Sequence, residues 1–167
     1  MEEKHENIIY ENNDFFRSNA FFIGMLMFTG CSNSETNSTS RGLTDFAHIE
    51  EEYLATIDSL NWPDGIALPD KLEDEDTGAS FQVGYGETRA SYLWEYSWMK
   101  EWLDTYNTDP ERAEKALEEL EKAFDMPYMG IDRCDDATRN YLRENIDKAK
   151  LGDPSGFTES IRANYAN

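Results

Sequence analysis

Residues 87–106 read ETRASYLWEYSWMKEWLDTY, and the fold turns on this stretch. Leu93, Tyr96, Met99, Leu103 and Tyr106 recur at three- and four-residue spacing, which places them on one helical stripe. Trp94, Trp98 and Trp102 form a second stripe beside it at i, i+4. A helix that is apolar on two adjacent stripes is expected to be covered on both, as the central helix of a bundle. A competing expectation keeps the second stripe at the surface. There, Trp94, Trp98 and Trp102 would be ligand-binding residues that stack on sugar rings or grip a partner's apolar side chains.

Helical signals continue on both sides. Upstream, Leu43 to Leu60 sets Phe46, Ile49, Tyr53, Leu54, Ile57 and Leu60 on one face and predicts a first helix. Trp62-Pro63-Asp64-Gly65 ends it with a turn, because Pro fixes φ and Gly permits the exit. Ile66 to Leu68 reads as extended, Lys71 to Ser80 as an exposed acidic loop, and Phe81-Gln82-Val83 as a brief strand. Downstream, Thr108-Asp109-Pro110-Glu111 carries a capping box with Pro in the first turn. The helix behind it buries Ala113, Ala116, Leu117, Leu120 and Phe124, with Glu111–Lys115 and Glu118–Lys122 paired on its wet face. Asp135 or Asp136 caps a fourth helix with Tyr141, Leu142, Ile146 and Ala149 inward, ended by Gly152. Phe157, Ile161 and Tyr165 mark a short last helix. The expected fold is all-α: a small bundle of four to five helices, with a short irregular or extended segment between the first two.

The composition narrows the partners. A net charge of −20 repels phosphates and anionic headgroups alike, which excludes nucleic acid and electrostatic docking on a membrane. Two cysteines and two histidines are the whole supply of soft ligands and nucleophile partners. His48 lies early in the first helix, four residues before Glu52, and reads as a rim histidine paired with it. Cys134 precedes a helix start, where the dipole lowers a thiol pKa but Asp135 and Asp136 push the other way. Neither assembles a nucleophile–histidine set or a zinc site. Asp74 and Asp76, followed by Gly78, are a weak calcium candidate, because Gly78 falls on a ligand position and Ala79 where the loop glycine belongs. A solvated acidic loop is the better reading. Gly84-Tyr85-Gly86 lacks the third glycine and the βαβ frame of a dinucleotide fingerprint. No cofactor is expected.

Residues 20–30, AFFIGMLMFTG, are an uncharged apolar run of 11 residues. A membrane-crossing helix needs about 20. The run instead fits a signal-peptide apolar region of roughly 7 to 15 residues, with Arg17 upstream. Phe28-Thr29-Gly30-Cys31 follows, and these residues resemble the lipobox of bacterial lipoproteins, in which a small residue precedes the lipidated cysteine. The sequence departs from that pattern at Phe28, where Leu is usual, and in a leader holding Glu2, Glu3, Glu6, Glu11 and Asp14 against Lys4 and Arg17. The resemblance implies that residues 1–30 are a removed signal peptide and that the Cys31 thiol carries a diacylglyceryl group. It places the product outside the cytoplasm, lipid-anchored to a bacterial membrane. Ser32 to Ser40, SNSETNSTS, has no apolar side chain and reads as a polar spacer, so residues 31–42 are the anchor and tether and 43–167 a single helical domain. Cleavage would leave Cys134 as the one thiol besides the anchor, and no internal disulfide.

The expectation is a membrane-tethered, non-enzymatic binding or interaction module whose partner is an envelope protein or glycan. Its rival is a hydrolase of cell-envelope glycan or peptide working through paired carboxylates. No pattern in the sequence names a ligand or singles out two acids.

Overall fold

The computed structural model describes residues 42–73 and 75–165. The leader 1–30, Cys31, the tether up to Arg41, and Asp74 lie outside the described residues. Five helices form the domain: α1 (Phe46–Ser59), α2 (Tyr85–Thr105), α3 (Pro110–Glu121), α4 (Asp136–Lys150) and α5 (Ser155–Asn164). Two short 3₁₀ turns, Lys122–Asp125 and Pro127–Met129, separate α3 from α4. The fold is thus the expected small helical bundle, with an irregular segment between α1 and α2. One feature is added: β1 (Leu43–Thr44) pairs antiparallel with β2 (Phe81–Gln82), Leu43 opposite Gln82 and Thr44 opposite Phe81.

Helices α1 to α4 each start where a side chain takes orphan amides. Asp45 caps α1 by accepting from the His48 N–H, so the helix begins after Thr44 and not at Leu43 as the apolar spacing predicts. Asp109, not Thr108, caps α3 by accepting from the Arg112 N–H at 3.2 Å. Asp135 caps α4, accepting from the Thr138 N–H at 2.7 Å. α2 begins at Tyr85, two residues before the expected Glu87, because a carboxylate from another helix caps it. Glu52 on α1 accepts from the Gly84 N–H at 2.7 Å and from the Gly86 N–H at 3.2 Å. This places a negative charge at the positive end of the helix dipole.

α2 is the central helix, packing against α1, α3, α5 and the Pro127–Met129 turn. Its first half joins Ala90 and Leu93 to Ile49, Tyr53, Ile57, Leu72 and Phe81. Its second half joins Trp94, Trp98, Met99 and Trp102 to Ala116, Leu120, Leu142, Ile146 and Phe157. Trp62 packs against both clusters. On α4 the buried stripe is Leu142, Asn145, Ile146 and Ala149, so Tyr141, expected inward, stands one position off the stripe and is exposed. Two expected surface ion pairs are also replaced. Lys122 bonds Glu119 at 2.7 Å, and Lys115 lies over the Trp98 ring at 5.7 Å.

The α1–α2 crossing is close enough to require glycine. A Cβ at Gly86 would collide with the Ile49 carbonyl, which belongs to the backbone and cannot rotate away. Gly65, at φ 80° in the turn after α1, has open space around it and needs only its left-handed backbone. The two sites therefore fail differently. Gly86→Ala should lower unfolding free energy by about 2 kcal/mol or more, through displaced backbone. Gly65→Ala should cost about 1 kcal/mol, from conformation alone. Urea midpoints of the two variants check this ordering, which equal losses would contradict.

Candidate functional site

The tryptophan stripe is core. Trp94, Trp98 and Trp102 are 1%, 1% and 2% exposed, so no indole face is open to a sugar ring or a partner. The ligand-binding expectation for these three residues is corrected accordingly: small residues on α3 and α4, with Leu120 and Phe157, cover the stripe. The polar ends of two of these rings are also accounted for. The Trp94 and Trp98 indole N–H groups both donate to the Asn61 carbonyl, at 2.8 and 3.1 Å, and Trp62 donates to the Ile57 carbonyl at 2.9 Å. Trp102 stacks on Tyr106 with centroids 4.6 Å apart and meets the edge of Phe157.

The remaining candidates from the sequence are dispersed. His48 is exposed, with Nε2 3.3 Å from Glu52, the pairing expected. Asp76 turns its Oδ1 onto the Gly78 N–H at 2.9 Å, so it is already used within its own turn. Among the described residues no three His, Cys, Asp or Glu side chains converge as metal ligands. Cys134 is half-buried and donates to the Met129 sulfur at 3.5 Å. Burial pushes its thiol pKa up, against the pull of Arg139, which favours the less nucleophilic protonated form.

One strongly perturbed group is a residue that the periodicity passes over. Glu95 lies on α2 in register with Ser91, Met99 and Trp102, on a face that is otherwise uncharged, and is 8% exposed. Tyr128, from the second 3₁₀ turn, donates its hydroxyl to Glu95 Oε2 at 2.7 Å. Around this pair stand Tyr92, edge-on to Tyr128 at 5.6 Å, and Tyr165, whose hydroxyl donates to the Tyr92 carbonyl at 3.2 Å. Tyr96 meets the Tyr165 ring at 4.9 Å. Four tyrosines and one carboxyl thus join α2, the 3₁₀ turn and the end of α5.

Burial raises the Glu95 carboxyl to about 7, and the Tyr128 hydrogen bond opposes this only in part. Burial also raises Tyr128 and Tyr165 well above the ordinary phenol range, and the Glu95 charge adds to both. Glu95 can therefore hold or release a proton near neutrality. Among the described residues no second carboxylate contributes to the shift. The signal that could have found it is simple: a glutamate seven residues before Trp102 and four before Met99, in step with the buried stripe.

No protein-family model matches the chain, and no curated protein or solved structure matches it significantly. The fold and this buried acid are thus read from the residues themselves.

The sign of the pH effect follows from the direction of the shift. A carboxyl raised from 4.5 to about 7 on folding is more protonated when folded, so its contribution to stability is complete below pH 4.5 and is lost as pH rises through 7. The difference is about 3 kcal/mol. Glu95→Gln, which keeps an acceptor for Tyr128, should remove that slope and leave the protein more stable than wild type at pH 8. Chemical denaturation of both forms from pH 4.5 to 8 measures it. Parallel curves would show that Glu95 ionises as it does in the unfolded chain.

Proposed function

We propose that the protein is a lipid-anchored, extracytoplasmic binding or interaction module, held at a bacterial membrane through Cys31. The observation that carries this reading is the order of elements in the sequence. An 11-residue apolar run ends in Phe28-Thr29-Gly30-Cys31, nine polar residues follow, and the folded domain begins at Leu43. Two acyl chains give durable anchoring where one does not. Among the described residues no helix is long and apolar enough to cross a membrane, so attachment of the domain itself would fall to the anchor. The non-enzymatic part of the reading draws support from Glu95, the one carboxyl among the described residues whose pKa is raised, bonded to a phenol and shielded from solvent.

The test is the intact mass of native protein together with its partition into detergent. The expected product begins at Cys31, carries a diacylglyceryl group and enters the detergent phase, and Cys31→Ala abolishes both properties. A native chain with Met1 in place and a free Cys31 thiol contradicts the reading.

A further inference from the structure

Two pieces of chain come onto Glu95 from outside α2, and they are not equally held. Tyr128 arrives on the second 3₁₀ turn, which is closed by the Met129 N–H on the Met126 carbonyl and the Gly130 N–H on the Pro127 carbonyl. Arg139 adds a bond from α4 to the Met129 carbonyl, and Met129 itself is buried. Tyr165 instead follows the last residue of α5. Its N–H bonds the Ile161 carbonyl at 2.8 Å, its hydroxyl bonds the Tyr92 carbonyl, and its ring lies against Tyr96. The part of α5 that enters the core lies more than a turn earlier, at Phe157 and Ser160. Helix ends open locally at far lower cost than the body of a bundle.

The groups facing the acid offer it no counter-charge. Tyr92 on α2, Tyr128 on the turn, Tyr165 at the end of α5 and Cys134 before α4 all feel its charge, and each holds its proton more tightly for it. In the segment leading into α4, Arg133 is bonded to Glu87 and Arg139 to Asp136, while Asp135, which also acts on Tyr92, caps the helix. No cation among the described residues, on α1, α3 or elsewhere, contributes to the shift of Glu95 itself. An ionised Glu95 keeps its Tyr128 bond, which strengthens when the acceptor is charged. What it lacks is water.

We propose that the end of α5 is a pH-operated latch: Tyr165 covers Glu95 while that acid is protonated, and swings out with the last turn of the helix when it ionises. The open form admits water to the carboxylate and bares the faces of Tyr92 and Tyr96. The domain thus presents an additional aromatic surface above neutrality and covers it below. Glu95 is raised from 4.5 to about 7 only while it is covered, so the opening constant rises with pH between those values, by no more than about 300-fold, and levels off above 7. The latch involves the folded domain alone and does not depend on the anchor at Cys31.

Two measurements on the full chain test it, with helix content checked for each variant. In the first, NMR follows hydrogen exchange of the Tyr165 N–H from pH 5 to 8, corrected for the chemical rate, beside the Met129 and Gly130 N–H groups and the amides of α2. The Tyr165 opening constant should be the largest of the set and rise by about tenfold or more, and Glu95→Gln should abolish the rise. In the second, the Glu95 carboxyl carbon is titrated. Tyr165→Ala removes the ring at the end of the last helix and should lower the Glu95 midpoint by about one pH unit or more. Tyr165 exchange that tracks α2 at every pH means that Glu95 ionises only as the whole bundle unfolds, and overturns the latch. So does opening that begins at Met129 and Gly130, opening at Tyr165 that ignores pH or keeps its rise in Glu95→Gln, or a Glu95 midpoint unchanged by Tyr165→Ala.

Discussion

Two indole N–H groups end on one backbone oxygen, and the rest of the bundle is arranged around that fact. Trp94 and Trp98 sit one turn apart on α2, and both reach the carbonyl of Asn61 in the segment that leaves α1. Burying an indole stabilises the fold by about 5 kcal/mol at most, from roughly 200 Å² of surface at 25 cal/mol/Å². Leaving its N–H without an acceptor would cost about 1–3 kcal/mol of that. One carbonyl with two lone pairs meets both needs, provided residues 60–65 are held against α2. Buried Pro63 and the Trp62 bond back to Ile57 hold them there.

This constraint orients the remaining elements. With α1 and its exit fixed on one side of α2, Glu52 falls at the α2 N-terminus and Gly86 at the crossing, where only glycine fits. α3, α4 and α5 then close over the tryptophans from the other side. The charged residues are displaced to the periphery, where they hold loops more than they stabilise helices. Arg89 joins the Glu75 loop to α2, Arg112 grips Glu101 through two nitrogens, and Arg133 joins the turn before α4 to Glu87. Arg112 is exposed, and a surface pair of that kind contributes little, whereas both partners of the Arg89 and Arg133 pairs are largely covered. Glu95 and Glu119 depart from the outward sorting: Lys122 pairs with Glu119, and at Glu95 a proton replaces the missing counter-charge.

The helical part of the fold was legible because helix α2 writes both of its buried stripes into the sequence and because Asp109, Asp135 and Gly152 mark boundaries plainly. What misled was local. Leu43 fits the α1 period, yet it pairs with Gln82, some 40 residues away, and no periodicity encodes a pairing across such a gap. Tyr141 and Leu142 both fit an apolar stripe, and the choice between them depends on how α4 is rotated against α3. The tryptophan stripe was legible as an alternative between core and surface, and the covering residues on α3, α4 and α5 decide it for the core. Glu95 was hidden for another reason. A glutamate in a helix reads as solvated until its neighbours are known, and Tyr128, which satisfies it, lies 33 residues away.

The most direct test of the account is hydrogen exchange at the indole nitrogens, followed by NMR in the native protein. If both N–H groups are closed onto the Asn61 carbonyl inside the core, Trp94 and Trp98 should exchange only through global unfolding. Their opening free energy should then equal the stability obtained from denaturant. Exchange of either indole at the rate of an exposed side chain, under conditions where the helices stay protected, would contradict the claim that these rings organise the fold.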